Sequence, residues 1–240
     1  MDIRIFNNTD ELGAAAADII AALVKSKPAV LGLATGASPA PTYKHLIEKY
    51  KSGEISFRDV TTFNLDEYCS IPKTDKNSYY TYMHENLFDH IDIDCGNTHV
   101  PDGNPEDADE YCAWYDGAIK AAGGVDIQVL GIGRNGHIGF NEPSDSFTKG
   151  TYKVKLTDST IEANKIYFEN ESDMPREAIT MGVESILDAK EIILIADGEA
   201  KAQAVHDMIK GEISPACPAS ILQKHGNVHV FLDKAAASLL

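Results

Sequence analysis

The chain has 240 residues, 43% hydrophobic and 24% charged, with a formal net charge of -16. That length can bury a sizeable core without staples, and the acidic balance excludes nucleic acid, whose phosphate backbone needs clustered Lys and Arg, and an anionic membrane surface. Cys69, Cys95, Cys112 and Cys217 show no C-x-x-C spacing and no His at zinc-finger spacing, so they read as reduced thiols of a cytoplasmic protein without a structural metal.

Residues 3–6 alternate like a strand and lack a signal-peptide apolar region. Residues 10–25 read as an Ala-rich amphipathic helix. Its apolar stretch, 14–24, is interrupted by Asp18 and is too short to span a bilayer. The apolar run 29–33 is broken by Thr35-Gly36-Ala37-Ser38-Pro39, with Ser38 expected as N-cap and Pro39 at the first position of a helix running to about Tyr50. A strand follows at 60–65, helices at 79–88 and 107–122, a buried strand at 125–131, strands at 192–196 and 228–232, and a helix at 199–210. Segments 139–150 and 170–176 read as loops beside the site. No repeat or linker divides the chain, so 1–240 is expected to be one domain. The alternation predicts an α/β fold: a doubly wound, mostly parallel, Rossmann-like sheet with helices on both faces. In such sheets ligands bind outside the carboxyl ends of the strands.

Four strand ends carry chemistry. After 29–33, the small residues and hydroxyls of Thr35, Gly36, Ala37 and Ser38 at a helix start suit a phosphate, although an ordinary strand-to-helix turn has the same composition. No Gly-Lys-Ser/Thr makes it a Walker loop. After 60–65, Asp66 and Glu67 could include a general base, or form a solvated acidic loop. After 125–131, Gly131-Ile132-Gly133-Arg134-Asn135-Gly136-His137 contains a formal G-x-G-x-x-G. Gly139 and Pro143 resist the helix that a dinucleotide site requires, so the segment reads as a flexible loop presenting His137, with Glu142 able to orient it. After 192–196, Lys201 in the first turn of a helix opposes the helix dipole, a cost that a bound anion would offset; a solvated surface Lys is the other reading.

Together these segments resemble the glucosamine-6-phosphate deaminase family. The resemblance is carried by Leu33-Ala34-Thr35-Gly36-Ala37-Ser38-Pro39, Phe63-Asn64-Leu65-Asp66-Glu67-Tyr68, Gly131 through Pro143, Ile179-Thr180-Met181-Gly182 and Pro218-Ala219-Ser220-Ile221-Leu222, in the family's order. It implies that glucosamine 6-phosphate and water become fructose 6-phosphate and ammonia, with a sugar phosphate as the small-molecule partner and neither metal nor organic cofactor. It also implies roles. Asp66 moves the proton between C2 and C1, and His137 assists ring opening with Asn135 and Glu142 beside it. Thr35 to Ser38 and Lys201 hold the phosphate. Asn135 stands where many relatives have Asp, and Ile166 where some have a phosphate-binding Arg, with Lys165 adjacent. The C-terminal part is short for the family, which implies a monomer or small homo-oligomer without allosteric activation. The competing readings are a 6-phosphogluconolactonase-like hydrolase on the same fold and a sugar-phosphate sensing domain without catalysis.

Overall fold

The computed structural model describes residues 1–240, the side chains of Ala163 and Glu171 apart. In chain order the strands are β1 (Asp2–Phe6), β2 (Ala29–Leu33), β3 (Val60–Asn64), β4 (Asp66–Tyr68), β5 (Thr98–His99), β6 (Ile127–Leu130), β7 (Tyr152–Lys155), β8 (Glu177–Thr180), β9 (Glu191–Ala196) and β10 (Val228–Asp233). The helices are α1 (Thr9–Ser26), α2 (Ala40–Lys51), α3 (Tyr79–Asn86), α4 (Ala108–Ala121), α5 (Asp158–Asn164), α6 (Val183–Leu187) and α7 (Ala202–Lys210).

Seven strands form one sheet in the order β1-β10-β9-β6-β2-β3-β5, and every pairing in it is parallel. Every residue of β2 and β6 is buried, as are Ile192 to Ala196 of β9. Strands covered on both faces carry such continuous apolar runs rather than alternation. β1 lies at the edge and is largely exposed. The order reverses between β2 and β6: the chain proceeds from β2 to β3 and β5, then returns across β2 to β6 and β9. A crevice opens at such a reversal, outside the strands' carboxyl ends. The expected doubly wound α/β class is therefore the observed one.

Local chemistry explains the helix starts. Asn8 caps α1 by accepting from Glu11 N at 2.9 Å, and Asp107 caps α4 by accepting from Glu110 N at 2.9 Å. α2 departs from expectation. It starts at Ala40, its cap position is Pro39, and no side chain caps it. Ser38 is not the N-cap; its hydroxyl donates to Asp197 Oδ1 at 2.6 Å. The 199–210 helix is also divided, a 3-10 turn Glu199–Lys201 preceding α7.

A second, three-stranded sheet, β4-β8-β7, is antiparallel. Nothing in the sequence reading anticipated it. The chain leaves the main sheet at Leu65, whose N–H still bonds Leu33 O at 3.0 Å, and Asp66 opens the new sheet opposite Thr180. Among the described residues no helix is long and apolar enough to cross a membrane.

Candidate active site

Asp66 and Glu67 are adjacent in a strand, where successive side chains point to opposite faces, and they have different surroundings. Glu67 is buried and accepts three backbone N–H groups: Tyr68 at 2.8 Å, and Tyr79 and Tyr80 at 2.9 Å each. The last two open α3, so this carboxylate acts as the helix's anchor and receives its positive end. Burial raises the Glu67 pKa, and the three N–H groups oppose that rise. Asp66 is 7% exposed. Burial pushes its carboxyl up to about 8, and the Glu67 charge adds to the rise.

The β6 end supplies the second group. No helix follows Leu130; a turn at 133–136 is closed by Gly136 N donating to Gly133 O at 3.1 Å. The glycines have separate reasons. A Cβ at Gly133 would overlap the His137 imidazole, so the ring occupies space that only glycine leaves. Gly136 and Gly139 have φ of 83° and 56°, in the left-handed region that favours glycine. The imidazole Nδ1 lies 3.4 Å from Glu142 Oε1, close enough for charge attraction and long for a hydrogen bond. Asn135 Nδ2 donates to Glu142 Oε2 at 2.6 Å, and Asn135 Oδ1 accepts His137 N–H at 3.3 Å. Thr160, on α5, donates its hydroxyl to Glu142 Oε1. Burial pushes the Glu142 carboxyl up, but His137, Thr160 and Asn135 outweigh it and hold the pKa at about 2. Glu142 is thus a fixed anion beside the imidazole.

Asp66 and this loop meet. A Cβ at Gly139 would stand 3.6 Å from Asp66 Oδ2 and 3.0 Å from Thr180 Oγ1. Asn141, buried beneath, fixes the loop by donating to Ile138 O at 2.8 Å and Met181 O at 2.9 Å.

The anion-binding candidates lie across the same crevice. Gly36 has φ of 100°, and its carbonyl accepts the Tyr82 hydroxyl at 2.6 Å. Lys201 Nζ donates to Ile132 O at 2.6 Å, which brings the β9 end onto the His137 loop. Burial lowers the Lys201 pKa, Arg134 lowers it further, and Asp197 partly offsets both. Asp197 also holds Ser38, so residues 35–38 and Lys201 share a boundary. All nine residues singled out from the sequence therefore lie at the carboxyl ends of β2, β3, β6 and β9. Lys165, outside that group, ion-pairs with Glu162 at 2.7 Å, and Ile166 is 74% exposed. Among the described residues no three His, Cys, Asp or Glu side chains converge to hold a metal ion.

Sequence reasoning missed Thr160, and it gave Asp197 and Asn141, which lie in segments it singled out, no role of their own. Thr160 gives no motif signal. Asp197 directly follows the apolar run of β9, the position that drew attention to Lys201.

Residues 8–230 match the family described as glucosamine-6-phosphate isomerases/6-phosphogluconolactonase. The chain belongs to this family. Within it, the chain is 49% identical, over 100% of both chains, to the glucosamine-6-phosphate deaminase of Alkaliphilus oremlandii (strain OhILAs). A solved structure described as a monomeric glucosamine-6-phosphate deaminase superposes with TM-score 0.97 at 44% identity, covering 100% of each chain. The 6-phosphogluconolactonase from Trypanosoma cruzi superposes with TM-score 0.79 at 19% identity, over 100% of this chain and 96% of that one. That second likeness extends to the fold alone.

Proposed function

We infer that this chain is a glucosamine-6-phosphate deaminase, a hydrolase of a C–N bond that also isomerises: glucosamine 6-phosphate plus water gives fructose 6-phosphate plus ammonia. The observation that carries the reading is the 49% identity to a deaminase over the full length of both chains. The geometry fits the chemistry. The pyranose must open before isomerisation, and His137, with the Glu142 anion 3.4 Å from its Nδ1, is the acid–base group for O5 and O1. Asp66 removes the proton from C2 and returns one at C1. These carbons are neighbours, so one carboxylate reaches both. The C2 amine becomes an imine, which water converts to the ketone as ammonia leaves. Residues 35–38 and Lys201 hold the 6-phosphate, fixing C1 and C2 against Asp66; such positioning can supply roughly 7–11 kcal/mol when it is well aligned.

In this reading residues 1–240 act as one domain in the cytoplasm, in keeping with four free thiols, and as a monomer, in keeping with the relative described as monomeric. Sedimentation equilibrium tests the last point. The lactonase reading rests on fold likeness at 19% identity. An ammonia-release assay over hexosamine 6-phosphates, with a 6-phosphogluconolactone hydrolysis control, decides between them. Ammonia from glucosamine 6-phosphate is expected; lactone hydrolysis without ammonia overturns the reading.

A further inference from the structure

The turn 133–136 has two side chains at its tip. Asn135 faces Glu142, to which it donates at 2.6 Å. Arg134, at the preceding position, is exposed, and among the described residues it makes neither an ion pair nor a hydrogen bond. In a chain with 37 acidic and 21 basic side chains, excluding His, carboxylate partners are plentiful. The charge it acts on is instead that of another cation, Lys201. Ile132, two residues before Arg134, accepts Lys201 Nζ at 2.6 Å, so the lysine reaches the base of the turn whose tip carries the arginine. The Arg134 charge contributes to the depressed Lys201 pKa, second to burial. Asp197, which acts on Lys201 in the opposite sense, also accepts the Ser38 hydroxyl at 2.6 Å. Two like charges kept together repel, and an anion shared between them reverses the sign of that interaction.

We propose that Arg134 is a second cationic phosphate ligand, closing over the substrate's 6-phosphate from the turn opposite residues 35–38 while Lys201 supports it from below. This rests on the sugar-phosphate reading above. The division of labour follows from the side chains. Lys201 is a half-buried point charge tied to the Ile132 carbonyl, whereas Arg134 is exposed and presents a planar fork matched to two phosphate oxygens. A dianionic phosphate therefore gains more from the pair than a monoanion of the same size.

The test uses the full-length enzyme and its Arg134→Ala, Arg134→Lys and Lys201→Ala variants, each checked for folding by circular dichroism. Inorganic phosphate binding is measured by calorimetry at constant ionic strength, and KM and kcat with glucosamine 6-phosphate. Arg134→Ala is expected to weaken phosphate binding and raise KM about 10-fold or more, as befits the loss of a charge-assisted hydrogen bond. Arg134→Lys should recover part of both, because the charge returns without the fork. Phosphate affinity unchanged in Arg134→Ala but weakened in Lys201→Ala overturns the assignment and leaves the phosphate site standing. Affinity unchanged in both variants overturns the phosphate site and this proposal together. Equal loss in Arg134→Ala of affinity for inorganic phosphate and for unphosphorylated glucosamine also overturns it, since the residue would then be acting on the whole pocket.

Discussion

The Asp66 carboxylate rests against the backbone of Gly139: a Cβ there would stand 3.6 Å from Asp66 Oδ2. Gly139 lies two residues beyond His137, so this contact sets the carboxyl proposed to move the C2 proton beside the group proposed for ring opening.

Asp66→Asn is expected to abolish ammonia release while phosphate binding persists. In deuterated water the parent enzyme should exchange the C2 proton and the variant should not. Full exchange in the variant removes Asp66 from the reaction.

The same substitution should stabilise the fold in a defined pH window. Burial, with the Glu67 charge, raises the Asp66 carboxyl from its ordinary 3.8 to about 8 in the folded protein. Between these values unfolding releases a proton, so this residue weakens the fold as pH rises through the window. Asparagine removes that term. Tm of Asp66→Asn should exceed the parent's at pH 8, and the two should converge near pH 3. A variant less stable at pH 8 contradicts the raised pKa of the buried carboxyl.

Gly133→Ala places a Cβ where the His137 imidazole lies. The obstacle is a side chain that can turn aside, so the protein should fold with Tm close to the parent's. The displaced ring should lower kcat by roughly 100-fold, the scale of an ångström-sized misplacement of a catalytic group. Unchanged kcat would mean that the position of His137 is immaterial to the slow step.

Lys201→Ala should raise KM far more than it lowers kcat, because a phosphate contact is made alike before and during reaction. A charge-assisted hydrogen bond worth about 1.5–3 kcal/mol corresponds to a shift on the order of 10- to 100-fold. Steady-state kinetics at fixed ionic strength measures it, and an unchanged KM takes Lys201 out of the site.

Asn135→Asp would set a second carboxylate within hydrogen-bond reach of Glu142, since the asparagine amide is 2.6 Å from Oε2. Two carboxylates so close hold a proton in the cluster more tightly. If turnover needs the cluster deprotonated, the acidic limb of the kcat/KM profile should move up by about one unit, or roughly 1.4 kcal/mol. A limb that stays in place or moves down shows that residue 135 does not act on the titrating group.

The legible part of the site was the part written locally. The run Gly131 to Pro143 announced a loop, because Gly139 and Pro143 forbid a helix there, and no helix follows Leu130. The strand ends announced Asp66 and Lys201. Ser38 was legible in place but is not the N-cap of α2. Its hydroxyl bonds Asp197, a residue far along the chain, and α2 begins uncapped. From the sequence, Glu67 was as open a candidate for a general base as Asp66; its three backbone donors show an anchor for α3.

The sequence by itself determined the alternation of buried strands and helices, hence the parallel sheet and the edge where its chemistry collects, because those signals lie in neighbouring residues with regular periods. Tertiary structure alone decided the second sheet, whose strands of three and four residues are too short for a period and pair antiparallel across distant segments, Asp66 with Thr180 and Tyr152 with Thr180. It alone brought Thr160 to Glu142 and buried Asp66 beside Glu67 and Gly139. Burial and the charges of remote neighbours set how tightly a carboxyl holds its proton, and neither can be read from the residues on either side of it.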